Sequence, residues 1–236
     1  MDEPDGSLDS ELPMTSPQVS YLRDCIYGGI DGVVTTFAIV AGVVAADLSP
    51  RIVLILGVAH LVSDGFSMAA SNFSGTKSEH DEFAWLRASE EGRIERLPGE
   101  ERDKVRRIYR AKGVAGLDLE RVVSVLTADR ERWIGTMMSE AYNQPKLLRT
   151  PWKAAFATFA AFLVCGAIPL LPFAVQSPSA VEVSLVSTAL VFFGIGSIKS
   201  RWTTASWWRS GLETLTVGLA AAGLAYIVGH YLKDLV

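Results

Sequence analysis

Residues 25–46 read CIYGGIDGVVTTFAIVAGVVAA, apolar apart from Asp31 and the Thr35 and Thr36 pair, and the Asp47-Leu48-Ser49-Pro50 turn closes the run. A helix rises about 1.5 Å per residue, so about 20 mostly apolar residues cross roughly 30 Å of hydrocarbon. A core helix of a soluble protein usually keeps a polar face, whereas this stretch is apolar all round and rich in Gly and Ala. Lipid is therefore the solvent for this part of the chain.

Four further windows share the pattern: roughly Ile52 to Phe73, Trp152 to Val175, a shorter one from Val183 to Ile198, and Leu212 to Leu232. The fold class expected is all-α, a membrane protein of five transmembrane helices with a small helical cytosolic domain inserted between the second and third. Orientation follows from Lys and Arg. With the N-terminus inside, Arg23, the Lys77 to Lys153 region, Lys199, Arg201 and Arg209 lie on the inner side, and only Arg51 and Lys233 lie outside. The same assignment sets aside the Asn72-Phe73-Ser74 glycosylation match, which falls at the inner membrane face.

The expected domains are a disordered cytosolic tail at 1–20, transmembrane helices 1 and 2 at 21–76, a helical, metal-binding-like cytosolic domain at 77–150, and helices 3 to 5 at 151–236. The tail is acidic, rich in Pro and Ser, and lacks the basic start and apolar core of a signal peptide. Within 77–150, one helix continues from the second span through Glu95 until Pro98-Gly99 breaks it. A second spans about Glu100 to Lys112 and stops at Gly113, Asp118 is a candidate cap for a third, and a fourth starts near Asp129. The net charge of −4 provides no large cationic surface, so nucleic acid is not an expected partner. Two cysteines, Cys25 and Cys165, both in apolar runs, do not make a disulfide framework. No nucleophile elbow, phosphate loop, zinc spacing or redox Cys pair is present, which argues against an enzyme.

Ionisable groups inside a bilayer are costly, so Asp31, His60 and Asp64 require a reason. His60, Asp64 and Met68 recur every four residues and place imidazole, carboxylate and thioether on one stripe of the second helix. Oxygen and nitrogen suit first-row divalent metals, and a thioether favours softer ions. The stripe is a candidate ion path; the competing reading is that His60 and Asp64 pair with each other or with a neighbouring helix merely to satisfy burial, and that Met68 only packs. Asp31, bracketed by glycines, can bind a cation, shuttle protons or simply bond to backbone. Glu213 and His230, near the ends of the fifth helix, can reach water and are weaker candidates. The glutamates of the charged region interleave with arginines, which by itself describes a solvated face.

Arg23-Asp24, GGIDGVVTTFAIVAG, VSDGFSMAASNFSGTKSE, IYRAKG, TMMSE, GAIPLLPF, VFFGIGSIKSRW and GLETLTVGLAAAGLAYIVG occur in an order and spacing that resembles the vacuolar iron transporter family, from about Arg23 to Leu232. The resemblance implies a homodimeric five-helix carrier whose ion path runs between the first helices of two subunits, exchanging cytosolic Fe2+ or Mn2+ for protons. It implies pore roles for Asp31 and Met68, with His60 where many members have glutamate. It also implies a cytosolic metal set of Glu90, Glu101, Met137 and Met138, with the following glutamate displaced to Glu140. Two further glutamates of that set are replaced here by Arg93 and Lys104, and cations at such positions repel metal. The domain then binds fewer ions, or Glu79, Glu82, Glu91 or Glu100 take over.

The expected function is proton-coupled export of Fe2+, with Mn2+ as a second substrate, from the cytosol to the outside or to a storage compartment. The membrane is the cell (inner) membrane or a vacuolar-type one. The alternative is a membrane metal sensor or assembly protein that transports nothing. From the Lys and Arg asymmetry, a cysteine introduced between Lys77 and Arg149 should stay unlabelled by an impermeant reagent in intact cells and react once the membrane is opened; labelling in intact cells refutes the topology.

Overall fold

The computed structural model of the chain describes residues 20–145 and 148–233; the tail expected at 1–20 falls, except for Ser20, outside them. The elements are α1 (Leu22–Ala45), α2 (Pro50–Arg96), α3 (Pro98–Ala111), α4 (Gly116–Thr127), α5 (Arg130–Glu140), α6 (Pro151–Ala167), α7 (Leu171–Ala174), α8 (Ala180–Lys199) and α9 (Trp207–Lys233). No strand occurs among the described residues. By length and composition, five segments can cross a membrane: Leu22–Ala45, Pro50–Arg96, Pro151–Ala174, Ala180–Lys199 and Trp207–Lys233. Their outward faces carry Ile55, Val62, Phe66, Phe156, Val164, Leu190, Val217 and Leu224, all exposed. An apolar belt of this kind is a liability in water and an asset in lipid.

The chain divides into two compact units, residues 21–96 with 149–233 and Leu97–Leu148. In the first, α1 packs against α2, α6, α8 and α9. The closest approach is to α6: a Cβ on Gly28 would lie 2.3 Å from the Thr158 carbonyl oxygen, and one on Gly32 would lie 2.4 Å from that of Phe162. Lipid tails are as apolar as Leu, so helices in a bilayer are held by close van der Waals contact, which small residues allow. The apolar core alongside joins Phe37, Val40 and Val43 of α1 to Val53 and Leu61 of α2 and to Phe162, Leu170 and Phe173.

The third span is not one straight helix. α6 ends at Ala167, a 3-10 turn covers Ile168–Leu170, and α7 follows. Pro169 and Pro172 withhold two N–H donors there, and the hydroxyl of Ser184 on α8 donates to the Pro169 carbonyl at 2.8 Å, within a region where water cannot serve. α2 continues without interruption from the apolar window to Arg96, as its pattern predicts, and Pro98 opens the next helix.

The Leu97–Leu148 unit packs α3, α4 and α5 on one another. Gly113, at φ +93°, follows the end of α3. The Asp129 side chain caps α5 by accepting the Arg132 N–H at 2.8 Å. Asp118 differs from expectation: it lies in the first turn of α4, where its charge favours the helix dipole, and Ala115 occupies the cap position. Across α3 and α4, Arg106 donates to both oxygens of Glu120 and holds that carboxyl below the usual range.

Gly32→Ala places a methyl where only a main-chain carbonyl fits, so α1 and α6 must separate. A loss of about 1–3 kcal/mol is expected, read as a lower unfolding midpoint in detergent. Gly223→Ala, with nothing within 4 Å of the added carbon, should leave the midpoint in place.

Candidate metal path

α1 brings Asp31 inward between Ile30 and Gly32, and its side chain is half-buried. The carboxylates and imidazole of Asp31, Asp64 and His60 lie within electrostatic reach of one another, across α1 and α2. On α2, His60 Nδ1 stands 3.2 Å from Asp64 Oδ2. His60 Nε2 is buried with no hydrogen-bond partner, and its ring packs against Phe162 at 6.3 Å between centroids. The pair therefore satisfies one nitrogen of the imidazole and leaves the other with unused bonding capacity.

Met68, two turns beyond His60, does not join that pair. It lines a cavity of about 590 Å³ together with Asp31, Tyr27, Ile30, Val34 and Ser71. The stripe of His60, Asp64 and Met68 thus serves two places, an upper ion pair and a lower chamber, with Asp31 common to both. Among the described residues, no group of three or more His, Cys, Asp or Glu side chains is drawn together tightly enough to hold a metal in one chain.

Of the residues implied for the cytosolic set, Glu101, Met137 and Met138 are buried within the Leu97–Leu148 unit. Lys104 Nζ stands 2.7 Å from Glu101 Oε1, and Lys112 Nζ is bonded to Glu140 Oε2. The Lys104 ammonium therefore occupies, in charge if not in chemistry, the place of a cation on the Glu101 carboxylate. Glu90, also buried, belongs to α2 in the other unit. Of the carboxylates considered as substitutes, Glu91 pairs with Arg87 at 3.0 Å, and Glu79 faces the chamber.

One group escaped the reading of the sequence. Asp24 Oδ1 accepts from Asn72 Nδ2 at 3.0 Å and from Arg149 Nη1 at 2.8 Å, and Asn72 Nδ2 also reaches Thr158 Oγ1 at 2.6 Å and the Ala154 carbonyl at 3.2 Å. Asn72 is thus an internal hub, which gives the Asn72-Phe73-Ser74 match a structural meaning. The signal available was Asp24 itself, a charge in the first turn of an apolar helix.

Residues 22–230 match the model of the VIT family. The chain is 31% identical to "Vacuolar iron transporter 1" of Arabidopsis thaliana over 216 residues, 90% of this chain and 86% of that protein. It is 29% identical to "Vacuolar iron transporter" of Plasmodium berghei over 241 residues, covering 96% and 88%. A protein of the same name from Toxoplasma gondii is 29% identical over 235 residues, covering 93% and 76%.

The Lys104–Glu101 pair of the small unit and, separately, Arg93 on α2 generate a test. Restoring carboxylates with Arg93→Glu and Lys104→Glu changes the local charge by two at each position, and a unit charge 4 Å away is worth about 4 kcal/mol at an effective dielectric of 20. Calorimetric titration of the full-length protein with zinc ion should show more ions bound, and more tightly, in the double variant than in the parent. Equal stoichiometry and affinity would mean that neither position takes part in binding metal.

Proposed function

Because this chain belongs to the VIT family, we propose that it carries a divalent transition metal across a membrane, with Fe2+ as substrate and Mn2+ as a second one, in exchange for protons. The metal leaves the cytosol for the outside or for a storage compartment. The observation that carries this reading is the gathering of Asp31, Asp64 and His60 within two membrane-spanning helices. An anchor has no use for three ionisable groups in hydrocarbon, whereas a carrier does.

Each of these groups ligates metal only when deprotonated, so a metal ion and protons compete for the same atoms. Loading from the cytosolic side releases protons, and reprotonation from the acidic side expels the metal; that competition is the coupling. His60 is suited to it because an imidazole binds a metal ion through the same lone pair that takes up a proton. Met68 in the lower chamber adds a thioether, which Mg2+ and Ca2+ do not favour.

The working form in this reading is a homodimer. In one chain the Asp64 side chain is 51% exposed although it belongs to a segment that crosses lipid. A carboxylate facing hydrocarbon is too costly to leave so, and a second copy applied to that face covers it. The rival reading, a sensor that binds metal in its soluble part, draws on Glu101 and Glu140, and both are engaged by lysines.

In sealed vesicles with an acidic interior, the protein should accumulate Fe2+ or Mn2+, and collapse of the pH gradient should stop it. Asp31→Asn should reduce uptake to background while the protein still inserts and folds, since the amide matches the carboxylate in shape. Near-normal uptake by this variant would make Asp31 a structural residue.

A further inference from the structure

The chamber that holds Asp31 and Met68 is also lined by Asp24, Asn72, Glu79, Arg149 and Thr158. Arg149 does not fork onto one carboxylate, the geometry that uses a guanidinium best. It divides itself, with Nη1 at 2.8 Å from Asp24 Oδ1 and Nη2 at 3.3 Å from Glu79 Oε1. Its backbone is held, because its carbonyl accepts from His80 Nε2 at 2.7 Å and the next N–H, of Thr150, donates to the Tyr21 hydroxyl at 3.0 Å. Asp24 is 3% exposed, and its second oxygen, Oδ2, is buried with no hydrogen-bond partner. Arg23 also lines the chamber, but its guanidinium lies over the Tyr27 ring at 5.3 Å, so Asp24 and Glu79 share the Arg149 guanidinium, and a buried carboxylate oxygen on the chamber wall remains unsatisfied.

Resting on the transport reading, we propose that Asp24 and Glu79 form a divalent-cation subsite in the chamber and that Arg149 is its tethered competitor, displaced when the metal arrives. A divalent ion supplies the charge that two carboxylates lack with one guanidinium, and Oδ2 gives it an oxygen the arginine does not use. Asn72 holds Asp24 in place in both states by its bond to Oδ1. Arg149 therefore sets how much free metal is needed to load the chamber.

The test uses the full-length protein carrying Asp31→Asn, so that the pore carboxylate is silent, with Mn2+ binding followed by its paramagnetic resonance signal in detergent. Removing the competitor by Arg149→Gln should tighten Mn2+ binding about tenfold, as expected for deleting one like charge at short range. Glu79→Gln, at a side chain already 53% exposed and so tolerant of change, should weaken it. Mn2+ affinity unchanged in both variants overturns the proposal and leaves Arg149 a structural tie. Uptake into vesicles by the otherwise unaltered protein reports separately on transport: its absence sinks the transport reading, while the binding result still decides the subsite.

Discussion

A methyl group cannot be added to Gly28 or Gly32 of α1 without meeting the carbonyl of Thr158 or Phe162 on α6. That backbone-to-backbone contact fixes how α1 is rotated. Asp31 precedes Gly32 by one residue, about 100° round the helix at 3.6 residues per turn, so a glycine face turned to α6 leaves the carboxylate beside α2 and the chamber. The same rotation puts Asp24, two turns earlier, beside Asn72 and Thr158. The small side chains of α1 thus aim its charges.

The polar groups of the membrane unit lie in two neighbourhoods with different degrees of satisfaction. Around Asp24, the donors of Asn72 and Arg149 have acceptors and the network joins α1, α2 and α6, with Asp24 Oδ2 as its bare position. Around Asp31, His60 and Asp64 the bonding is sparse, with one imidazole nitrogen left bare and one carboxylate half-exposed. A fully bonded polar network is stiff, and an under-bonded one in low dielectric is costly unless something else visits it. In the proposed transport reading, the region around Asp31, His60 and Asp64 is where an ion and protons find ligands.

Much of the fold was legible because its signals are local. Apolar windows gave the five spans, Pro98 the end of the long helix, and Asp129 the start of α5, which its side chain turns out to cap. The break at Ile168–Leu170 was not read, since two prolines in an apolar run are compatible with a kinked helix as well as a broken one. Asp118 has the chemistry of a cap, but α4 begins earlier, at Gly116. Of the site, Asp31 and its partners on α2 were marked by the cost of charge in lipid. The bond from Arg149 to Asp24 spans 125 residues of sequence, and no periodicity or spacing encodes such a pairing. Asn72 was seen only as part of a three-residue motif, because a hub of long-range bonds leaves no local trace.

Helix α2 is 47 residues long and has no proline after Pro50. At about 1.5 Å per residue it is a rod of roughly 70 Å, more than twice the hydrocarbon thickness. It carries His60, Asp64 and Met68 near one end and Glu90 near the other. A rod does not absorb rotation locally: pivoted at its middle, a tilt of about 10° moves each end by about 6 Å. Any tilt of the apolar end of α2 would therefore be delivered, as leverage, to Glu90 without any signal having to pass from side chain to side chain.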